Sequence, residues 1–328
     1  MRVRRATPFS RVSGILLGVL IAALAYAPYA VSRGTQTQLV LLFCYVLLGT
    51  MWNLLAGYGG MVSVGQQAYV GIGSYGLVTI ADQLGVPAIL AVPLAGVAAG
   101  VVALVTSFLV FRLVGGYFAI GTWVVAEVLR LVFTRVDGLG AGAGVSVGAY
   151  ADLGPAQRIA VVYWLALATM VLSVLGVYLL MRSRVGLGLT AVRDDPVAAG
   201  SLGVRVAGAK RLVYVAAAVG CGMAGALIAS NTLRVQPESA FSINYTAVMI
   251  FVVVIGGIGA IEGPILGALL YFLLERELAH LGALYLVLLG LIVVAFTLAL
   301  PKGLWGLVTR PDRQVFPVSL TLDSSPRL

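Results

Sequence analysis

Apolar residues follow one another in long blocks from Gly14 to Leu300, and polar positions collect in the short gaps between them. A block of about 20 apolar residues is long enough to cross a bilayer core as a helix. A water-soluble domain needs helices with a polar outer face, and these blocks have none. The pattern predicts an all-α, polytopic transmembrane helix bundle of about ten segments: 14–31, 38–56, 61–81, 88–111, 117–134, 159–181, 212–230, 245–257, 264–280 and 284–300. Two segments are irregular. Segment three contains Ser63, Gln66, Gln67 and Ser74, and segment eight is short and ends in glycines. Such helices persist at membrane depth only against other protein or a water-filled cavity, and irregularity is expected along a transport route. The glycines read as helix-packing positions. Gln66 and Gln67 read as facing a pathway or bridging helices, because an amide facing lipid is costly.

Composition supports the membrane reading: 61% of the residues are hydrophobic and 10% charged, against about 25% charged in soluble domains. Cys44 and Cys221 lie inside apolar blocks and read as buried small residues rather than a disulfide framework. His280 is the only histidine, so no metal centre is expected, and nothing calls for a cofactor. No G-x-x-x-x-G-K-[ST] phosphate loop occurs, and no nucleophile–base pair stands out. The chain therefore does not read as an enzyme.

The net charge of +9 has no water-exposed domain on which to form a nucleic-acid surface. It reads instead as topology, since Lys and Arg accumulate in cytoplasmic loops. With a cytoplasmic N-terminus, fifteen basic residues fall on the inner side; Arg33, Arg135, Arg158, Arg234 and Arg276 fall on the outer side, and Arg130 lies within a segment. The expected layout is a cytoplasmic segment 1–13, a transmembrane domain 14–308 and a cytoplasmic tail 309–328. Arg2, Arg4, Arg5 and Arg11 ahead of an apolar stretch, with Ala25-Tyr26-Ala27 after it, also resemble a secretory signal.

The gap 182–211 is the only sizeable polar loop on the inner side. Within it an Asp cap precedes Pro196, which predicts a helix start, and Gly203 is a plausible stop. A helix of about two turns should lie outside the membrane, either as a loop helix without a partner or as a docking helix for a cytoplasmic protein. Glu127 and Arg130, three residues apart in segment five, share a helical face. They read as a neutralised pair that fixes packing, or as a substrate contact or gate. Glu262 sits at the glycine-rich break, as a solvated turn or a contact for a partner, and Glu275, Glu277 and His280 approach the outer surface.

The stretch Trp52-Asn53-Leu54-Leu55-Ala56-Gly57-Tyr58-Gly59-Gly60-Met61-Val62-Ser63-Val64-Gly65-Gln66, continued by Gly71-Ile72-Gly73-Ser74-Tyr75, resembles the N-L-L-x-G-Y-x-G-x-x-S-x-G-Q block of branched-chain amino acid ABC transporter permeases, and more narrowly their M-type subunit. Tyr117–Thr122 with Glu127–Arg130, the loop from Ser183 to Gly203, Gly256-Gly257-Ile258-Gly259 with Gly263-Pro264, and Pro301-Lys302-Gly303-Leu304 resemble further blocks in the same order. Gln67 stands where the family usually has a small residue, and the loop lacks the Glu that often opens the coupling motif.

The resemblance implies a multi-pass permease of the bacterial inner membrane that takes up branched-chain amino acids by alternating access. It also implies two cytoplasmic ABC ATPase subunits, a homologous second permease subunit and an extracytoplasmic substrate-binding protein as partners. Lipid surrounds the chain. Asp194, Asp195, Pro196, Ala198, Ala199, Leu202 and Gly203 are then the ATPase-coupling residues. Asn53, Ser63, Gln66, Gln67, Tyr117, Thr122, Glu127 and Arg130 are candidates for the translocation pathway. Gly256, Gly257, Gly259, Glu262, Gly263 and Pro264 form the helix break. Rival readings are a urea or short-amide permease, a transporter driven by an ion gradient, which would need free intramembrane carboxylates, and a non-transporting scaffold.

Overall fold

The computed structural model describes residues 3–4, 8–300, 303–308 and 321–322, with side chains over 14–300 and 303–307 apart from 279, 283 and 286. The charged segment 1–13, most of the proposed tail and Pro301-Lys302 lie outside the residues described at side-chain level. The helices are α1 (Pro8–Ala30), α2 (Arg33–Asn53), α3 (Gln67–Leu77), α4 (Ala88–Val110), α5 (Gly116–Phe133), α6 (Pro155–Met181), α7 (Arg184–Asp194), α8 (Pro196–Ser201), α9 (Val206–Thr232), α10 (Pro237–Ala240), α11 (Asn244–Gly256), α12 (Gly263–Leu278), α13 (Ala283–Ala299) and α14 (Gly303–Val308). Wider π-helical turns extend α2 to Tyr58 and α3 to Gln83. Strand is confined to two-residue pairs, one joining Val145–Ser146 to Arg234–Val235.

Among the described residues seven helices are long and apolar enough to cross a membrane: Arg33–Tyr58, Ala88–Val110, Gly116–Phe133, Pro155–Met181, Val206–Thr232, Pro237–Gly256 and Val287–Leu307. The remaining three of the ten predicted segments coincide with shorter helices: α1, whose apolar part is Gly14–Ala30, α3 and α12. α2 and α9 form the centre, with 83% and 72% of their apolar windows buried, whereas α5 is at the periphery with 17%. α9 packs on α3 and α4. The contact runs along Ala91, Ala95, Ala99 and Ala103, all fully buried, at the four-residue spacing that aligns small side chains on one face and lets backbones approach. Between the same three helices the Tyr69 hydroxyl donates to that of Tyr214 at 2.6 Å and hydrogen-bonds Thr106 at 2.9 Å.

Alternate loops gather at opposite ends. At one end Arg193 of the 182–211 loop bonds Gly57, and Gly57 lies against Gly259 of the α11–α12 break. At the other end Gly148 donates its N–H to Asp82 at 2.8 Å, Gln83 donates to the Gly138 carbonyl at 3.2 Å, and the 145–146 strand pairs with 234–235.

Segments three and seven start elsewhere than expected. Segment three is not helical from residue 61: Met61–Gln66 is irregular and α3 starts at Gln67. Gly59, Gly60 and Gly65 punctuate this stretch, and its backbone groups find other partners, described below. Segment seven starts at Val206 instead of 212, so Lys210 and Arg211 ride on the first turns of α9. Arg211 places its guanidinium 4.3 Å from the centre of the Phe108 ring. A long apolar stem with a charged tip suits a helix end at the membrane boundary.

Candidate functional site

The 182–211 loop holds two helices, not one. Ser183 caps α7 by accepting from the N–H groups of Val185 and Gly186. α8 follows at once. Asp195 accepts from the N–H groups of Val197 at 2.8 Å and Ala198 at 3.0 Å, Pro196 occupies the first position, and Gly203 at φ +87° ends the turn. These are the start and stop signals read from the sequence. Ala199 faces inward, only 2% exposed, whereas Val197 and Leu202 are 80% and 83% exposed. The outward apolar pair of this helix is therefore Val197 and Leu202, with Ala198 exposed between them. Val197 was not singled out from the sequence, and α7 was missed. The Ser183 cap and the buried Gly186, Leu189 and Val192, three residues apart, were the signals for α7.

Arg193, in the last turn of α7, ties this loop to the membrane helices. Its Nη1 donates to the Gly57 carbonyl at 2.9 Å, and its Nε donates to Asp194 Oδ1 at 2.9 Å. Gly57 lies in the final turn of α2, where carbonyls have no helical donor. A Cβ at Gly57 would sit 2.7 Å from the Gly259 nitrogen, so only glycine permits the contact. Asn53 completes the junction. Its Nδ2 donates to the Ala260 carbonyl at 2.7 Å, and its Oδ1 accepts from the Gly259 N–H at 2.8 Å. Gly256, Gly257, Gly259, Glu262, Gly263 and Pro264 occupy the reversal between α11 and α12, with Gly257 and Gly259 at φ +126° and +79°. Loop helices, the end of α2 and the break thus form one hydrogen-bonded unit.

Ser63, Gln66 and Thr122 come together beyond it. The irregular 61–66 stretch enters the bundle with its polar groups satisfied. Met61 N–H reaches the Leu55 carbonyl, the Trp52 indole donates to the Ser63 carbonyl at 2.9 Å, and Val64 N–H donates to the Thr122 hydroxyl at 3.1 Å. Gln66 donates to Ser63 Oγ at 3.1 Å and accepts from the Cys221 thiol on α9 at 3.7 Å. Gln67 accepts from Thr246 on α11. Both glutamines are buried, and both bridge helices. Irregular backbone at membrane depth is tolerated where protein surrounds it in this way.

Three candidates stand apart from that cluster. Tyr117 is 75% exposed at the start of α5. Glu127 and Arg130 pair on the outer face of the same helix, with Arg130 Nη2 donating to Glu127 Oε1 at 2.6 Å and Nε shared between both carboxylate oxygens at 3.0 and 3.1 Å. Their side chains are 46% and 23% exposed on this chain. Among the described residues no group of three or more His, Cys, Asp or Glu could hold a metal ion.

The chain is similar to the high-affinity branched-chain amino acid transport system permease protein LivM of Escherichia coli (strain K12), at 29% identity over 323 residues covering 90% of this chain and 75% of that protein. It is similar also to the protein of the same name in Salmonella typhimurium (strain LT2), at 28% identity over 325 residues with the same coverage. No solved structure matches it. Residues 34–297 match the family described as branched-chain amino acid transport system / permease component, a span from the start of α2 to the end of α13 that takes in the whole junction around Gly57 and Gly259. The protein belongs to this family of membrane-embedded transport permeases.

Proposed function

We propose that this chain is the permease subunit of an ATP-driven importer of branched-chain amino acids. Cytoplasmic ATPase subunits dock on α8, a homologous permease subunit packs beside this chain, and an extracytoplasmic binding protein delivers substrate to the opposite end. The ten apolar segments then all cross the membrane, the gap 182–211 faces the cytoplasm, and so do both termini. The observation that supports the reading most is the connected junction at that end. The α8 helix presents Val197 and Leu202 to solvent, and Arg193 links the preceding helix through Gly57 and Asn53 to the α11–α12 break. A push on α8 by a nucleotide-driven partner has a bonded route to helix ends that move together in alternating access. Packed elements with two discrete arrangements are what such coupling requires.

A gradient-driven carrier is the competing reading, and one carboxylate favours it. Glu275 lies partly buried between helices and, among the described residues, pairs with no Lys or Arg. Reconstitution with the ATPase subunits and binding protein separates the two. Uptake of leucine, isoleucine or valine into vesicles is expected to stop when ATP is withheld and a proton gradient is kept. Persistent uptake would assign the chain to the gradient-driven class.

A further inference from the structure

A cleft of about 860 Å³ lies between α2, α11, α12 and α13. It occupies the half of the bundle opposite the Arg193 junction, since Ser239 and Ser242 of the connection between α9 and α11 line it. Its walls are mostly apolar, among them Val248, Phe251 and Leu289. Four of its polar side chains are joined in pairs. The Tyr45 hydroxyl donates to Glu275 Oε1 at 3.1 Å, and the Tyr285 hydroxyl donates to that of Tyr271 at 2.9 Å. The Tyr45 and Tyr271 rings meet edge to face, with centroids 5.0 Å apart. Glu127 has its cation in Arg130. Glu275 has none among the described residues, and Arg276, next in the chain, is exposed. A carboxylate held against apolar walls without a cation is costly to ionise and suits a cationic ligand. A volume of this size falls in the range of roughly 300–1,000 Å³ that takes a small ligand.

We propose that this cleft is a binding subsite for an aliphatic amino acid. Its α-ammonium lies against Glu275 beside the Tyr45 hydroxyl, and its branched side chain packs on Val248 and Leu289. Tyr271, which accepts from Tyr285, keeps its own proton to donate to the α-carboxylate, and Asn244 offers an amide N–H at the same cleft. The inference rests on the transport reading and gives it a substrate site. It moves the route from α3 and α5, where the buried glutamines are occupied in joining helices, to the α2–α11–α12–α13 side. A primary ammonium could also come from a lipid headgroup, and the test separates the two sources.

The test uses the full chain in vesicles of phosphatidylcholine and phosphatidylglycerol, which carry no primary amine. Glu275 is modified with an apolar carbodiimide and the labelled peptide is quantified by mass spectrometry. Leucine and valine are expected to protect Glu275, and their 2-hydroxy analogues, which lack the ammonium, are not. In the assembled transporter Glu275→Gln is expected to lower uptake at least about tenfold with the complex still assembled, and Tyr45→Phe to lower it less. No protection by the amino acids overturns the site, as does equal protection by the 2-hydroxy analogues. Protection seen only when phosphatidylethanolamine is added reassigns the cleft to lipid and overturns it too. Uptake that continues without ATP while leucine still protects Glu275 removes the importer reading and leaves this site standing.

Discussion

Asn53 joins the end of α2 to the α11–α12 break with the two ends of one amide, and it is 2% exposed. Replacing it by Leu keeps the volume and strands a backbone N–H and a carbonyl, each at a cost of about 1–3 kcal/mol. Asn53→Leu is expected to lower the thermal unfolding midpoint in detergent. A pathway role alone would lower uptake with the midpoint unchanged. The Glu127–Arg130 pair is fork-shaped and held within one helix, so exchanging the two residues is expected to preserve uptake close to that of the parent chain. Loss of uptake with normal expression would give the pair a direct role in transport. The residue types at these positions were readable from the sequence because charges and amides in an apolar block are costly. Their partners were not. Asn53 bonds a loop some 200 residues further along the chain, and nothing local in the chain encodes that meeting.

α8 is the element in which local chemistry and fold agree most closely. Asp195, Pro196 and Gly203 fix its start, first turn and stop within the chain itself, and such signals need no tertiary partner. Asp195→Ala is expected to destabilise this helix by about 1 kcal/mol, read as faster amide exchange at Val197 and Ala198. Which side of the helix faces out could not be read from six residues. Packing against α7 and α9 decides it, and it buries Ala199 while exposing Val197 and Leu202. Leu202→Asp is therefore expected to uncouple ATP hydrolysis from uptake with insertion intact, whereas Ala199→Arg disturbs the loop's own packing first. Uptake at the parent rate in Leu202→Asp would mean that α8 is not the docking surface. Segment three shows the opposite limit. Its apolar residues predicted a helix from residue 61, but the backbone of 61–66 is held by Trp52, Leu55 and Thr122, and these distant partners overrode the local pattern.

At the scale of the whole molecule, the hydrophobic blocks contain the helix bundle, because bilayer thickness acts on the chain directly. The cleft at Glu275 was not legible: Tyr45, Tyr271, Glu275 and Tyr285 come from three helices, and only packing turns them toward one another. The arrangement as a whole stands on α8 facing the cytoplasm, opposite the end that carries Asp137. Cys44 and Cys221 are fully buried, so single cysteines at Leu202 and Asp137 can be labelled with a membrane-impermeant thiol reagent against little background. Leu202→Cys is expected to react only in inverted vesicles, and to be shielded when the ATPase subunits are bound, while Asp137→Cys reacts in intact spheroplasts. Reaction of Leu202→Cys from outside the spheroplast would contradict the orientation, the docking helix and the ATP-driven importer together.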